Sequence, residues 1–164
     1  MYKVTQTKVV IKDSNNNVIV NGNCYPAAIA SLLELPIEEV PNFEVFYRLK
    51  NNRNFWLTVI DTWLNSQNLE LRTADEFKCF HDDIDISVYL RNDDESYDDC
   101  RQRLREELRD KYYLVSGLSV RGVSHVCIYK NGIMVHDPHP TREGLIELKD
   151  FQTIEGLEEF LKNK

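Results

Sequence analysis

The sequence predicts an α+β protein, with most of its helix in the first half and most of its antiparallel strand in the second. Two apolar patterns with helical spacing predict helices, one from Cys24 to about Leu35 and one over 54–65. The pair Asn131-Gly132 separates two β-rich apolar runs, which is typical of a hairpin. The 164 residues contain no repeat, so we expect a single domain over 1–164.

The first half opens with an alternating stretch from Tyr2 to Ile11 that predicts a strand. A polar turn and a short apolar run over 18–20 follow it. The Cys24 helix is expected to stop at Pro36, because proline cannot continue a helix. Between Pro36 and Pro41 the sequence predicts a single helical turn.

After the second helix, a short strand over 69–72 precedes an irregular acidic stretch from Thr73 to Asp99. Beyond that stretch the sequence predicts, in order, a charged helix over about Tyr97–Lys111, a strand over Tyr112–Val120, the hairpin strands Ser124–Lys130 and Ile133–Asp137, and a closing helix over Ile154–Lys162.

Charge and composition exclude several functional classes. The formal net charge of −7 disfavours nucleic acid and anionic membranes as main partners. The start of the chain does not resemble a signal peptide, and no apolar run is long enough to span a bilayer. The four cysteines, Cys24, Cys79, Cys100 and Cys127, contain no CxxC pair, so a structural zinc site is not expected. We expect a cytoplasmic protein with free thiols and without a cofactor.

Cys24 is the first candidate for chemistry. It follows the turn-forming run from Asn21 to Asn23 and stands at the predicted start of the first helix. The helix dipole and the backbone N–H groups at such a position favour the thiolate over the thiol. Cys24 is therefore a candidate nucleophile, and a nucleophile of this kind needs a base and a group that orients the base.

His125 and Asp137 are the candidate base and orienting group, because they lie at the outer ends of the two hairpin strands. A two-residue Asn131-Gly132 turn would put Asp137 opposite Val126, on the other side of the sheet from His125. A three-residue loop that also includes Lys130 would put His125 opposite Asp137. The hypothesis of a His125–Asp137 pair therefore predicts the three-residue loop.

Acyl chemistry also needs a donor for the developing oxyanion, beside the backbone N–H of Cys24. Gln6, Asn21 and Asn23 are the candidates, although both asparagines also suit the turn itself. A zinc site built from His136, Asp137 and His139 is an alternative use of the last turn. Those residues cannot easily converge and lack a fourth ligand, so we expect no metal.

Taken in chain order, Gln6, the run Gly22–Cys24, the segment Ser124–Val126 and the segment His136–Pro138 resemble the papain-like thiol peptidases. More narrowly, they resemble the bacterial and phage peptidase C39-like proteins. The resemblance implies a papain-like fold, with an N-terminal active-site helix packed on a small antiparallel sheet. It also implies Cys24 as nucleophile, His125 as general base and then acid, Asp137 as the residue that orients His125, and Gln6 as oxyanion donor.

The chain departs from that family at two positions. The family glutamine stands about five or six residues before the cysteine, whereas Gln6 stands eighteen before Cys24. A longer loop through Asn15–Asn17 would have to bring it back. Many members also carry glycine after the cysteine, where this chain has Tyr25.

The expected function is that of a thiol-dependent peptidase or amidohydrolase acting on a peptide or protein through a thioester. Transamidation by the same three residues is a close variant. One alternative is a non-catalytic binding module on the same fold, such as a phage protein that blocks a host factor. Another is a structural interaction protein in which Asp137-Pro138 is only a turn. The sequence leaves the oligomeric state open.

Overall fold

The computed structural model describes residues 1–43, 53–73 and 96–164. Cys79, His81 and most of the predicted acidic stretch lie outside these ranges. The helices described are α1 (Cys24–Leu33), α2 (Arg53–Ser66), α3 (Tyr97–Glu107) and α4 (Leu157–Lys162), with a 3-10 turn over Ile37–Glu39. The strands described are β1 (Ile11–Lys12), β2 (Val18–Val20), β3 (Glu70–Thr73), β4 (Tyr112–Ser119), β5 (Ser124–Lys130), β6 (Ile133–His136) and β7 (Leu145–Glu155).

The strands form two antiparallel sheets. A small one pairs β1 with β2, and a five-stranded one has the order β3-β7-β4-β5-β6. The long strand β7 lies between β3 and β4, so it joins the middle of the chain to the C-terminal hairpin. Helices combined with an antiparallel sheet confirm the predicted α+β class.

Successive residues of β5 point to opposite faces of the large sheet, and each face has its own apolar cluster. Val126 and Ile128 belong to the cluster that contains α1, where nine of the ten helix residues are buried. Cys127 and Tyr129 belong to a smaller cluster on the other face, with Leu108 from the chain after α3. The face that carries α1 therefore holds the larger core.

The predicted helices are all present, and their bounds agree with the structure to within four residues; the largest difference is that α3 ends at Glu107 instead of about Lys111. α1 ends at Leu33 because Glu34 takes a left-handed conformation (φ +54°), and the chain then meets Pro36. The predicted turn between the prolines is the 3-10 turn. The predicted closing helix starts at Leu157 instead of Ile154, because Ile154 still pairs with Leu71 in the sheet.

Two strand predictions need correction. The predicted strand Tyr2–Ile11 is wrong, because only Ile11 pairs in a sheet. The N–H of Val4 instead donates to Ser31 Oγ (3.0 Å) and that of Lys8 to Asn23 Oδ1 (2.8 Å). The strand β7 was not predicted, because its mixture of charged and apolar residues obscures its period.

Within the described ranges, the structure contains no helix with both the length and the apolar character needed to cross a bilayer.

Candidate active site

The turn of the C-terminal hairpin differs from the three-residue loop predicted. Lys130 pairs directly with Ile133, and both turn residues have positive φ (Asn131 +52°, Gly132 +79°). These angles define a two-residue type I′ turn, whose twist matches that of the strands it joins. On its own, this register would place His125 and Asp137 on opposite faces of the sheet.

A β-bulge in β6 reverses that outcome. Tyr129 pairs with Met134, but the next residue of β5, Ile128, pairs with His136. Val135 is therefore an extra residue, and it shifts every later side chain of β6 to the other face. If this register is continued, Cys127 lies opposite Asp137 and His125 is its diagonal neighbour on the same face, a separation that long side chains can bridge.

His125 and Asp137 do meet. The Nε2–H of His125 donates to Asp137 Oδ1 at 2.6 Å, and only 4% of the histidine and 2% of the aspartate are exposed. Because Nε2 faces the carboxylate, Nδ1 is the ring nitrogen left for other partners. The contact has the geometry of a base held by its orienting group, although the bulge that produces it lies in β6 and not in the turn.

The carboxylate of Asp137 is enclosed by N–H donors. Besides His125, the backbone N–H of His139 donates to Oδ1 (2.7 Å) and that of Gly144 to Oδ2 (2.8 Å). Burial by itself raises the pKa of Asp137, but these three hydrogen bonds outweigh it and hold the pKa well below its usual range. Asp137 is therefore an anion at neutral pH.

The loop from 137 to 144 owes its curvature to two residues in the left-handed region. Gly144 has φ +72°, and a Cβ there would approach Met134 Sδ to 2.9 Å, so the position requires glycine. Arg142 has φ +57°, which is uncommon for a residue with a side chain. Its guanidinium donates to the Asp137 carbonyl, to His136 Nδ1 (2.8 Å) and to Thr5 Oγ1 (2.7 Å).

Cys24 is the first residue of α1 and is partly buried. The helix start is unusual, because Asn23 makes no side-chain cap and the first turn contains no acidic residue. Asn23 instead accepts the Lys8 N–H and donates from Nδ2 to Thr7 Oγ1 (2.9 Å). By contrast, α3 is capped by Ser96, which accepts the Asp99 N–H at 3.1 Å. Neither Asn23 nor the first turn of α1 therefore supplies a side chain that neutralises the helix dipole.

Gln6 lies beside this helix start in spite of its separation in sequence. Its backbone N–H donates to the Pro138 carbonyl (2.9 Å), and its Nε2 donates to the Lys8 carbonyl (2.7 Å). A Cβ on Gly22 would lie 3.4 Å from Gln6 Nε2. The β1–β2 hairpin, with its turn through Asn15–Asn17, reverses the chain and produces this proximity.

The segment 4–8 therefore touches both halves of the candidate site, through Asn23 on one side and Pro138 on the other. The side chains of the two halves nevertheless come from different faces of the large sheet. Cys24 packs with the α1 cluster, on the Val126 face, whereas His125 lies on the face of Cys127. Any contact between the Cys24 thiol and the His125 imidazole has to form around the amino end of β5.

The other two histidines have structural partners. His136 donates from Nε2 to the Val4 carbonyl (2.8 Å) and accepts from Arg142 at Nδ1, so both ring nitrogens are occupied. Burial first, and then the nearby Arg142 charge, lower the pKa of His136 and keep it neutral. His139 places its ring edge-on to that of His125, with centroids 6.0 Å apart, and burial also lowers its pKa.

One group of described residues has metal-ligand atoms close together. His125, Cys127 and Asp137 each offer one atom within 4.8 Å of the others. Burial raises the pKa of the Cys127 thiol far above neutrality, and the Asp137 carboxylate is already bonded to three N–H groups. A protonated thiol and an occupied carboxylate are poor ligands, so this group does not fit a metal ion.

Sequence reasoning missed Arg142, Gly144 and Thr5. The signal for Arg142 and Gly144 is a polar, glycine-containing stretch after Pro140, which indicates a loop but not its contacts, and Thr5 lies in the stretch predicted as a strand. Comparisons of the chain with protein-family models, with curated proteins and with solved structures found no match. Function therefore has to be inferred from the chemistry of the site itself.

Proposed function

We propose that this protein is a thiol-dependent acyl-transfer enzyme, a peptidase or amidohydrolase, with Cys24 as nucleophile, His125 as base, Asp137 as its orienting group and Gln6 as oxyanion donor. The observation that carries the proposal is the buried His125–Asp137 hydrogen bond of 2.6 Å. A buried anion that fixes Nε2 of an imidazole holds the ring in the tautomer that leaves Nδ1 able to accept a proton.

The reaction would proceed in two steps. As Cys24 Sγ attacks the substrate carbonyl carbon, its proton passes to His125 Nδ1, and the new C–S bond forms a tetrahedral oxyanion. The oxyanion collapses, the C–N bond breaks, and His125 returns the proton to the leaving amine. Water then hydrolyses the thioester, with His125 again acting as the base. If an amine takes the place of water, the product is a transamidated substrate.

Three further features support this assignment and a papain-like arrangement. The uncapped start of α1 favours a thiolate at Cys24. Gln6 lies against Gly22, two residues before Cys24, so the long separation in sequence does not exclude it as the oxyanion donor. The chain order of glutamine, cysteine on a helix, histidine on a strand and aspartate after the next strand is also that of the family which the sequence resembles.

One observation favours the alternative of a non-catalytic binding module. Cys24 and His125 belong to opposite faces of the sheet, so their contact depends on how far each reaches around the amino end of β5. In a binding module, the His125–Asp137 hydrogen bond would simply satisfy two buried polar groups. The two functions therefore differ in the reactivity of the Cys24 thiol.

Alkylation by iodoacetamide near pH 6 tests the proposal, because an unperturbed thiol is almost fully protonated there. Labelling at each cysteine is followed by peptide mass spectrometry over time. We expect Cys24 in the folded protein to react faster than Cys24 in the urea-unfolded chain. We also expect His125→Ala to remove that advantage, and Asp137→Asn to reduce it.

The matched control is Arg72→Ala, which removes an exposed ion pair with Glu155 on the edge strand β3, at the opposite edge of the sheet from β6. It should alkylate like the wild type. Alkylation of folded Cys24 no faster than in the unfolded chain would rule out the enzyme and leave the binding module. An acetyl group found on Cys24 after incubation with p-nitrophenyl acetate would support the acyl-enzyme directly.

A further inference from the structure

A cluster of hydrogen bonds joins the first residues of the chain to the end of β6. His136 donates to the Val4 carbonyl at 2.8 Å, and Gln6 donates its backbone N–H to the Pro138 carbonyl at 2.9 Å. These two bonds flank Thr5 on one side and Asp137 on the other. The segment 4–6 is thereby placed against the same turn that holds the orienting carboxylate.

Arg142 completes this cluster from the middle. One of its terminal nitrogens, Nη1, donates both to His136 Nδ1 and to the Asp137 carbonyl, while Nη2 donates to Thr5 Oγ1. A planar guanidinium can hold three acceptors in one fixed arrangement, which the single ammonium of lysine cannot do. The left-handed backbone of Arg142 carries a conformational cost, and these contacts offset it.

We propose that Arg142 is a positioning residue for the oxyanion donor, because it fixes the segment that carries Gln6 against the Asp137-Pro138 turn. This inference rests on the proposed acyl-transfer function and extends it to a residue outside the four groups assigned to the reaction. Gln6 is buried, its Nε2 donates to the Lys8 carbonyl (2.7 Å), and its Oε1 accepts no hydrogen bond among the described residues, so the position of its side-chain amide follows that of the segment. A displacement of about 1 Å at such a donor is enough to slow acyl transfer substantially.

Two reactions of the same thiol separate this role from a general structural one. Acylation of Cys24 by p-nitrophenyl acetate passes through an oxyanion and therefore depends on Gln6. Alkylation by iodoacetamide displaces iodide without forming an oxyanion. We expect Arg142→Ala to lower the acylation rate about ten- to a hundredfold and to leave the alkylation rate unchanged.

Two milder variants keep the test independent of folding. Thr5→Val removes one acceptor of Arg142 with almost no change in shape, and it should lower acylation by less than Arg142→Ala does. Arg142→Lys should restore only part of the acylation rate. Hydrogen exchange of the Gln6 backbone N–H, which reports its hydrogen bond to the Pro138 carbonyl, should be faster in Arg142→Ala. The Arg72→Ala variant serves again as the control for loss of a cation.

The outcomes distinguish this inference from the proposed function. If wild-type Cys24 neither alkylates rapidly nor acylates, the proposed function fails and the inference fails with it. If wild-type Cys24 does react but Arg142→Ala acylates at the wild-type rate, only the positioning role is overturned. A parallel fall in acylation and alkylation, with loss of the folded state, would also overturn it, because Arg142 would then be a structural residue only.

Discussion

In the loop at residues 137–144, backbone N–H groups donate to the Asp137 carboxylate, whereas at the start of α1 the Asn23 side chain bonds to the segment 4–8 instead of capping the helix. The first arrangement neutralises an anion with the donors of His139 and Gly144, together with the imidazole of His125. The second leaves a helix start without a side-chain cap. The negative charge of Asp137 is thus stabilised by donors already in place, whereas the start of α1 can stabilise a negative charge at Cys24.

The contrast indicates where stability and reactivity lie in this molecule. Loss of the Asp137 carboxylate would leave several buried N–H donors without an acceptor. Changes in that region should therefore lower stability as changes in the core do. The Asn23 region is bonded to a peripheral segment, and its changes should affect the thiol more than the fold. Variants in each region test this division.

Asp137→Ala should lower the free energy of unfolding by about 3–5 kcal/mol, because it leaves three N–H donors in a buried site without their acceptor. Urea denaturation measures this loss. The control is Glu143→Ala, which removes a carboxylate that is about half exposed and pairs with Arg121 at 3.4 Å. That variant should change stability by less than about 1 kcal/mol. Equal losses for the two variants would contradict the special role of the Asp137 carboxylate.

Insertion of one alanine between Val135 and His136 should break the His125–Asp137 pair while keeping both residues in the chain. With the bulge at Val135 retained, the inserted residue shifts the end of β6 by one position, and Asp137 moves to the other face. We expect a loss of about 2–3 kcal/mol and disappearance of the hydrogen-bonded Nε2–H proton of His125 from the NMR spectrum. Retention of that proton would show that the register of β6 does not set the pair. Deletion of Val135 removes the bulge together with its extra residue and leaves Asp137 opposite Cys127, so that variant should retain the proton.

The stability contributed by Asp137 should depend on pH only in the acid range. Its pKa is lower in the folded state than in the unfolded chain, so the contribution is complete above the usual aspartate value of about 3.9 and falls as the pH drops below it. The difference in unfolding free energy between wild type and Asp137→Asn should be constant from pH 7 to 5. It should then shrink by up to about 1.4 kcal/mol per pH unit towards pH 2. A constant difference down to pH 2 would contradict the lowered pKa.

Asn23→Ala should have the smallest effect on stability, about 1 kcal/mol, because it removes bonds to Thr7 and Lys8 from a peripheral segment. It should also loosen the segment that carries Gln6 and slow acylation of Cys24 more than its alkylation. Thermal unfolding and the two labelling rates measure these effects. A stability loss as large as that of Asp137→Ala would remove the distinction between the two regions.

Most of the regular structure could be predicted from local patterns. The spacing of apolar residues indicates α1 and α2, the prolines mark the ends of α1 and of the 3-10 turn, and Asn131-Gly132 marks the hairpin. The strand β7 could not be predicted, because its alternation is broken where its pairing with β4 shifts register, between Ser116 and Gly117 and again between Leu118 and Ser119.

The components of the candidate site could also be named from sequence, but not the way they come together. Nothing in β6 distinguishes Val135 from an ordinary strand residue, so the bulge that sets the face of Asp137 has no local signal. The segment predicted as a strand at Tyr2–Ile11 bonds instead to Ser31, Asn23 and Pro138, which are partners from distant parts of the chain. Arg142 was missed for the same reason.

The bulge in β6 also imposes a rule on how this hairpin can change during evolution. While the bulge is retained, a gain or loss of one residue between Gly132 and Asp137 transfers the aspartate to the opposite face, whereas a change of two residues returns it to the same face. Relatives that retain the His125–Asp137 hydrogen bond should therefore differ in the length of this segment by even numbers. An odd difference would have to be accompanied by loss or relocation of the bulge.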